Sequence, residues 1–431
     1  MSSPIWQKQK QAKIDQSIMN YMAGEDCLLD KHLIQYDIQA SIAHVQGLAS
    51  INIVTEQEAK NLVKNLNELC TALKNKQFQL DSRFEDGHSA IEFYLTEKLG
   101  DLGKKVHTGR SRNDQVLVAT RLYMKDAIKQ ALELANETIE TLLVQAKETQ
   151  TIPMPGYTHM QRAVPSSCGM WFTAFAESML DNKIPLKSSL ELIDANPLGT
   201  AAGYGVNLNL NRQLTTEKLG FSRIQVNPIY AQNSRGKLEL NLLSALSNCL
   251  LDIRRYCWDL SLFMTQEFNM VSLPDEMTTG SSIMPNKRNP DLVELMRAAY
   301  SIVQAAKVEL ESVLSLPSGY QRDLQLTKSP LIRGVNKSLE TMKLFPQLVR
   351  ATRFNESKLR EAIDAPMYAT DLATQMAAEG VPFREAYKQT ANHYEQLERA
   401  SPEESLAKRI SLGGSANLGL NIIEERFRSI E

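Results

Sequence analysis

The chain of 431 residues carries 48 Lys plus Arg against 50 Asp plus Glu, a formal charge of -2, with 43% of its residues hydrophobic. That length allows two or three domains around an extensive core, and the near balance of charge excludes a broad attraction to nucleic acid while leaving room for a local anion site. Five scattered cysteines, Cys27, Cys70, Cys168, Cys249 and Cys257, form no CxxC or His/Cys cluster with metal spacing, so no metal is expected and the thiols read as reduced, partly buried groups of a cytoplasmic protein.

The opening stretch MSSPIWQKQKQAKIDQSIMNYM holds too little continuous apolar sequence for a secretory signal, and no run reaches transmembrane length without polar interruption, so no membrane partner is expected. The first hundred residues predict helices over 30–46, 55–75 and 90–98. No GxGxxG turn follows a strand pattern there, which argues against a dinucleotide fold. Before the third helix stands Ser82-Arg83-Phe84-Glu85-Asp86-Gly87-His88-Ser89. A carboxylate pair beside a histidine either organises a site or opens a solvated helix.

Next comes Lys104-Lys105-Val106-His107-Thr108-Gly109-Arg110-Ser111-Arg112-Asn113-Asp114-Gln115, followed by a helical pattern over 113–147 in which Ile128, Leu132, Ala135, Ile139 and Leu142 share one face. Two arginines, hydroxyls and an amide at a helix start suit a dicarboxylate, because a guanidinium pairs bidentately with a planar carboxylate and an asparagine donates a neutral hydrogen bond. Surface charge with helix capping is the plainer alternative. Pro155-Gly156-Tyr157-Thr158-His159-Met160-Gln161-Arg162-Ala163-Val164-Pro165 then brings a hydroxyl beside a histidine, a group that titrates near neutrality. The stretch 196–205, NPLGTAAGYG, is either a tight crossing between helices or a place where backbone approaches a substrate.

A second long pattern covers 236–269, with Leu242, Leu246, Cys249, Ile253, Tyr256, Leu260 and Phe263 along one face. A helix of about 35 residues is roughly 50 Å long and needs neighbours along its whole seam. With more helix predicted over 289–315 and 337–345, the fold class is all-α, built on a long central bundle. Glycines and prolines gather at 153–156, 197–205, 274–290 and 317–330. The domains expected are 1–107, an N-terminal helical domain; 108–345, the bundle carrying most of the loops; and 346–431, a small helical domain with helices over 370–379 and 382–397 and a last one after Gly413-Gly414.

The loop Gly280-Ser281-Ser282-Ile283-Met284-Pro285-Asn286-Lys287-Arg288-Asn289-Pro290-Asp291 ends where a helix begins, with Asn289 or Asp291 as cap and Pro290 tolerable in the first turn. Free backbone N–H groups, the helix N-terminus and the charges of Lys287 and Arg288 offer an anion site there. Later, Leu316-Pro317-Ser318-Gly319-Tyr320-Gln321-Arg322-Asp323-Leu324-Gln325-Leu326-Thr327-Lys328 supplies phenol, amide and ammonium groups suited to an amino-acid carboxylate.

The 280–291 loop resembles the GSSxMPxKxNP signature of the fumarase and aspartase superfamily, and HTGRSRNDQ at 107–115 narrows the resemblance to argininosuccinate lyases. It extends from the helix at 30–46 to SPEESLAKRISLGG at 401–414. This likeness implies a fumarase/aspartase-like fold and a homotetramer in which one active site collects loops from three subunits. It implies a reaction without metal or organic cofactor, in which argininosuccinate is split into arginine and fumarate during arginine synthesis. By the same likeness Ser281 is the base, Lys287 stabilises the charged carboxylate, and His159, paired with Glu294, protonates the departing nitrogen. Ser111, Arg112, Asn113, Thr158, Asn289, Tyr320, Gln325 and Lys328 hold the substrate. Three positions depart from the family pattern: Val164 stands for a glutamine, Arg288 for a second lysine, and Asp26 falls where many argininosuccinate lyases place a substrate-contacting serine. Lys-Arg-Asn in the signature loop is also familiar in adenylosuccinate lyase, which keeps that enzyme, or another fumarate-forming lyase of the superfamily acting on aspartate or malate, as the alternative, and a catalytically silent structural homologue is the non-enzymatic one.

Overall fold

The computed structural model describes residues 15–81, 83–393 and 401–430. Ser82, the opening residues 1–14 and the end of the helix predicted over 382–397 lie outside the described residues. The chain is all-α, as its periodicity predicts. Helices α1 (Ile34–Ser50), α2 (Glu56–Lys74) and α3 (Gly87–Leu99) precede five long ones, α4 (Arg112–Glu148), α5 (Cys168–Ile193), α6 (Lys237–Phe263), α7 (Asp291–Val313) and α8 (Lys328–Ala351). Among the described residues, strand is limited to an antiparallel hairpin of β1 (Pro153–Thr158) with β2 (Gln161–Ser167) and two short pairings.

Two compact units divide the chain, one from Met1–Gln130, Leu186–Leu246 and Ile302–Lys337, the other from Ala131–Pro185, Ser247–Ser301 and Ser338–Glu431. In the first, α1, α2 and α3 bury Ile38, Leu48, Leu62, Leu66, Leu69, Ile91 and Leu95 in one core. Each such side chain contributes on the order of 2 kcal/mol through removal of apolar surface from water. The helix α2 starts with a reciprocal cap: Thr55 Oγ1 accepts from Glu58 N–H at 3.2 Å while Glu58 Oε2 accepts from Thr55 N–H at 2.8 Å. Helix α6 follows Gly236, whose φ of +81° is left-handed and where an added Cβ would lie 2.3 Å from Leu314 Cδ2. The left-handed backbone favours glycine, and any side chain there would also have to displace the end of Leu314.

The predicted seams are buried. Ile128, Ala135, Ile139 and Leu142 on α4 and Leu242, Leu246, Cys249, Ile253, Tyr256 and Leu260 on α6 have no exposed surface, and Leu132 and Phe263 are half-buried. Helix α6 ends at Phe263, short of the predicted 269, and the chain turns through Asn269, whose φ is +47°. Helix α8 begins at Lys328, well before the predicted 337, and continues past Pro346. Helix α5 went unpredicted. It carries Trp171, which stacks on Tyr256 at 4.6 Å and donates its Nε1–H to Asp259 at 2.8 Å in the second unit. The C-terminal helices are Ala369–Ala378, Phe383–His393, Pro402–Lys408 and Leu420–Ser429. Among the described residues no helix is long and apolar enough to cross a membrane.

Candidate active site

The first unit holds a cavity of about 300 Å³ lined by Asp26, Glu85, Asp86, His88, Ser111, Arg112, Asn113, Val116, Arg235, Tyr320, Arg322, Gln325 and Lys328. Six of the predicted substrate-binding residues, Ser111, Arg112, Asn113, Tyr320, Gln325 and Lys328, therefore meet in one place. The helix α4 begins at its wall. Ser111 caps that helix: its Oγ accepts from Asn113 N–H at 3.2 Å, its carbonyl accepts from Gln115 N–H, and its own N–H donates to Asp114 Oδ1 at 2.9 Å. The positive end of a 37-residue helix thus faces the cavity together with Arg112 and Asn113 in its first turn.

Asp114 ties the cap to the glycine-rich loop. Its second carboxylate oxygen accepts from Gly199 N–H at 2.9 Å and Ala201 N–H at 3.0 Å, so the loop at 196–205 serves a structural crossing beneath the helix start. Most of the charged groups on the wall are held in turn. Arg112 Nη1 lies 3.0 Å from Glu85 Oε2 and 3.1 Å from Asp86 Oδ2, and its Nη2 donates to Ser89 Oγ at 3.0 Å. Arg322 lies 3.5 Å from the other oxygen of Glu85 and donates to Met22 O at 3.0 Å. Gln325 Nε2 also donates to Met22 O at 3.0 Å, leaving its carbonyl oxygen for a ligand. The guanidinium of Arg235 sits 5.9 Å from the centre of the Tyr320 ring. Lys328, 5% exposed, reaches Asp30 Oδ1 at 2.7 Å and Asp26 Oδ1 at 3.2 Å.

These charges set one another's protonation. Burial alone would raise the Asp86 carboxyl, but the His88 imidazolium and the Arg112 guanidinium outweigh it and hold the pKa at about 2. Burial would lower His88, but Asp37, whose Oδ2 accepts from Nδ1 at 2.5 Å, and Asp86 behind it hold its pKa above the ordinary value. Asp86 is buried, and its folded pKa lies below the unfolded value near 3.9. The stability it contributes, on the order of 2 kcal/mol, is present above about pH 4 and is lost as pH falls toward about 2. We expect the urea midpoint to fall between about pH 5 and pH 3 more steeply for the native chain than for Asp86→Asn, measured by circular dichroism. Equal slopes would remove Asp86 from the acid transition.

The remaining predicted residues lie in the second unit. Thr158 and His159 are exposed at the tip of the β1–β2 hairpin, whose register pairs Thr158 with Gln161. The two residues between, His159 at φ 53° and Met160 at φ 60°, form a left-handed two-residue turn of the type that suits strand twist but favours Asn and Gly. Ordinary side chains in this conformation are strained by about 1 kcal/mol each. Val164 takes part in the hairpin through its backbone, since a Cβ at Gly156 would meet Val164 O at 2.7 Å.

The signature loop is closed at its base by Thr279 and Asn289, each donating its N–H to the other's carbonyl at 2.9 and 2.8 Å. Helix α7 starts at Asp291. Glu294 N–H donates to Pro290 O, so Pro290 holds the cap position predicted for its neighbours, while Asp291 accepts from Thr279 Oγ1 at 2.5 Å. Inside the loop Ser281 Oγ accepts from Ile283 N–H at 3.3 Å and Met284 N–H at 3.1 Å. Two donors on one hydroxyl oxygen favour its ionised form. Lys287 is exposed, Arg288 pairs with Asp275, and Glu294 is exposed with Arg297 3.9 Å away. None of Ser281, Lys287, Glu294 and His159 lines the cavity that holds Arg112. Among the described residues no cluster of His, Cys, Asp or Glu has metal-holding geometry.

Sequence reasoning missed Arg235 and Arg322 and gave no binding role to Glu85, Asp86 or Asp30. Arg235 carried a signal, an arginine next to Gly236 before a long helix, as Arg112 stands after Gly109.

Residues 11–305 match a family profile described as Lyase. The chain is 50% identical over 431 residues to an argininosuccinate lyase of Stenotrophomonas maltophilia (strain R551-3) and 51% identical over 431 residues to one of Xanthomonas axonopodis pv. citri (strain 306), in both cases spanning 100% of each chain. An argininosuccinate lyase of Xylella fastidiosa (strain Temecula1 / ATCC 700964) is 51% identical, covering 100% of this chain and 97% of that one. Among solved structures, an EDDS lyase in complex with formate superposes with a TM-score of 0.82 at 21% identity over 97% of this chain and 91% of that one. A class II fumarase from Schistosoma mansoni gives 0.72 at 18% identity over 93% and 91%. These two likenesses show the fold, the all-α fumarase/aspartase-like architecture with its long central helices.

Proposed function

The chain belongs to the argininosuccinate lyase family of carbon–nitrogen lyases, and from that premise we propose that it splits argininosuccinate into arginine and fumarate through the residues described above. The reaction removes a proton from the carbon beside a succinyl carboxylate, forms the carbon–carbon double bond and expels the guanidino nitrogen with the C–N electron pair. Ser281, ionised, takes the proton. The two N–H donors on its oxygen support this role, since they stabilise the alkoxide before the proton arrives. Lys287 and Asn289 stabilise the negative charge that builds on the carboxylate, and one such donor is worth roughly 3–4 kcal/mol in the transition state. His159, supported by Glu294, gives a proton to the leaving nitrogen.

The observation that carries the reading is the meeting of Ser111, Arg112, Asn113, Tyr320, Gln325 and Lys328 around one cavity at a helix N-terminus. Such a wall suits a substrate with several carboxylates. His159, Lys287 and Glu294 are exposed and Ser281 and Asn289 half-buried in the single chain, and their field is strong only where water is excluded. This supports an assembly in which other subunits' loops complete each site, the homotetramer that the family resemblance implies.

The test is fumarate release, followed by its ultraviolet absorbance, from argininosuccinate, adenylosuccinate, aspartate and malate. We expect argininosuccinate to exceed the others in kcat/KM by roughly 10⁴, because buried polar groups left unpaired reject an ill-fitting substrate. Fumarate from adenylosuccinate alone would transfer the assignment to that enzyme. None from any substrate, with the oligomer intact, would leave a structural homologue.

A further inference from the structure

The hairpin that carries Thr158 and His159 is firmly seated at its base and loosely held by its own backbone at its tip. Pro153, Met154 and Pro155 pair with Ser167, Ser166 and Pro165, and Met154 and Ser167 are buried. The register then slips between Pro155 and Tyr157, and above the slip two pairs, Tyr157 with Arg162 and Thr158 with Gln161, carry the left-handed turn at His159 and Met160. Such a turn, made of ordinary side chains above a bulge, does not fix its own direction. A residue of the C-terminal segment in the same unit supplies the tie: Arg162 Nη1 donates to Asp364 Oδ2 at 2.7 Å. Asp364 is anchored, since it lies between buried Ile363 and the turn Ala365–Tyr368, whose Met367 and Tyr368 pack with Ile363 in one small core. It holds the N-cap position of that turn, yet its side chain accepts no hydrogen bond from it. The carboxylate is directed to the hairpin instead. An exposed ion pair is ordinarily worth little, but here Asp364 Oδ1 is buried with no hydrogen-bond partner among the described residues, so the Arg162 guanidinium compensates a partly desolvated charge. The pair has a reason to stay closed.

We propose that Arg162 and Asp364 are positioning residues for His159, fixing the direction in which the hairpin tip presents the imidazole to the departing nitrogen. This rests on the reading of His159 as the acid and adds to it the device that aims it. Arg162 stands opposite Tyr157 in the first rung above the slip, so a guanidinium tethered to Asp364 stops the tip from swinging about the bulge. Proton transfer needs its heavy atoms within about 3 Å, and a displacement of about 1 Å costs roughly 100-fold in rate. Six of the residues assigned to substrate binding line the cavity of the first unit, away from this pair. Slackening the tip is therefore felt in kcat more than in KM.

The experiment is a double-mutant cycle read by fumarate release from argininosuccinate. Arg162→Met is expected to lower kcat by roughly 30-fold with KM within about threefold of native, and Arg162→Lys, which keeps a cation for Asp364, to stay within about fivefold of native. His159→Asn, a substitution the left-handed turn accepts, removes the imidazole and should itself cost roughly 100-fold. With nothing left to aim, adding Arg162→Met to His159→Asn is expected to cost less than about threefold more. An equal cost in both backgrounds overturns the proposal, because Arg162 then supports the fold or the substrate. So does a kcat within about twofold of native in Arg162→Met, or an effect confined to KM. Asp364→Ala, which removes the acceptor from the other side, gives the same reading should Arg162→Met fail to assemble. A large loss in His159→Asn with none in Arg162→Met removes the positioning role and leaves the acid standing. A His159→Asn enzyme as fast as the native one overturns both.

Discussion

Alanine in place of Ser281 is expected to lower kcat for fumarate release from argininosuccinate by roughly 10³-fold while leaving the chain folded and KM nearly unchanged. The two outcomes separate because of where the hydroxyl sits. Ser281 Oγ is fixed by Ile283 and Met284 N–H groups within an exposed loop, so its loss returns two donors to water and costs stability well under about 1 kcal/mol. The transition state loses the atom that receives the proton. Ground-state affinity is assigned to Arg112, Tyr320 and Lys328 rather than to the Ser281 hydroxyl, which is why KM is expected to hold. Circular dichroism and native size check folding and assembly, and steady-state kinetics give the rest. A kcat within about tenfold of the native value would remove Ser281 as the base and shift attention to another group in the positive loop.

The long helices were legible because their apolar residues recur in steps of four and three. Nothing in the environment of Ile139 or Ile253 contradicts that pattern, and both are fully buried. The helix α5 was hidden by its own composition, with Pro185 in its interior and aromatic residues crowded at its start. Its stability comes from Trp171 packing on Tyr256, a contact between residues far apart in sequence. The hairpin was hidden too. Prolines at 153, 155 and 165 and the glycine at 156 read as loop, whereas they occupy a short ladder with a bulge after Pro155. Of the candidate site, the cavity residues came from motifs and do line one cavity. The physics that organises them was not in the motifs: Asp114 spends its two oxygens on Ser111 and on the 196–205 loop, and Lys328 spends its charge on Asp30 and Asp26. Such partners are chosen by folding, and spacing along the chain carries no trace of them.

The largest effect on stability is expected at Lys328. Methionine there keeps most of the volume and removes the ammonium, leaving Asp30, 3% exposed, with an uncompensated charge. Burial pulls the Lys328 pKa down, and Asp30 followed by Asp26 more than restores it, so the native group stays charged and its loss is felt in full. Breaking a buried pair from one side costs about 3–5 kcal/mol, and Lys328→Met should lose that much in urea unfolding together with its binding of the substrate carboxylate. Adding Asp30→Asn separates the two losses. The asparagine needs no counter-charge, and its side-chain oxygen still accepts from Gly87 N–H, as Asp30 Oδ2 does now at 2.8 Å. The double variant is therefore expected to regain more than half of the lost stability while kcat/KM for argininosuccinate stays as low as in Lys328→Met. Recovery of kcat/KM along with stability would mean that Lys328 supports the cavity wall and holds no part of the substrate. A single variant as stable as the native chain would mean that water or a neighbouring cation reaches Asp30, against the burial on which the ion pair depends.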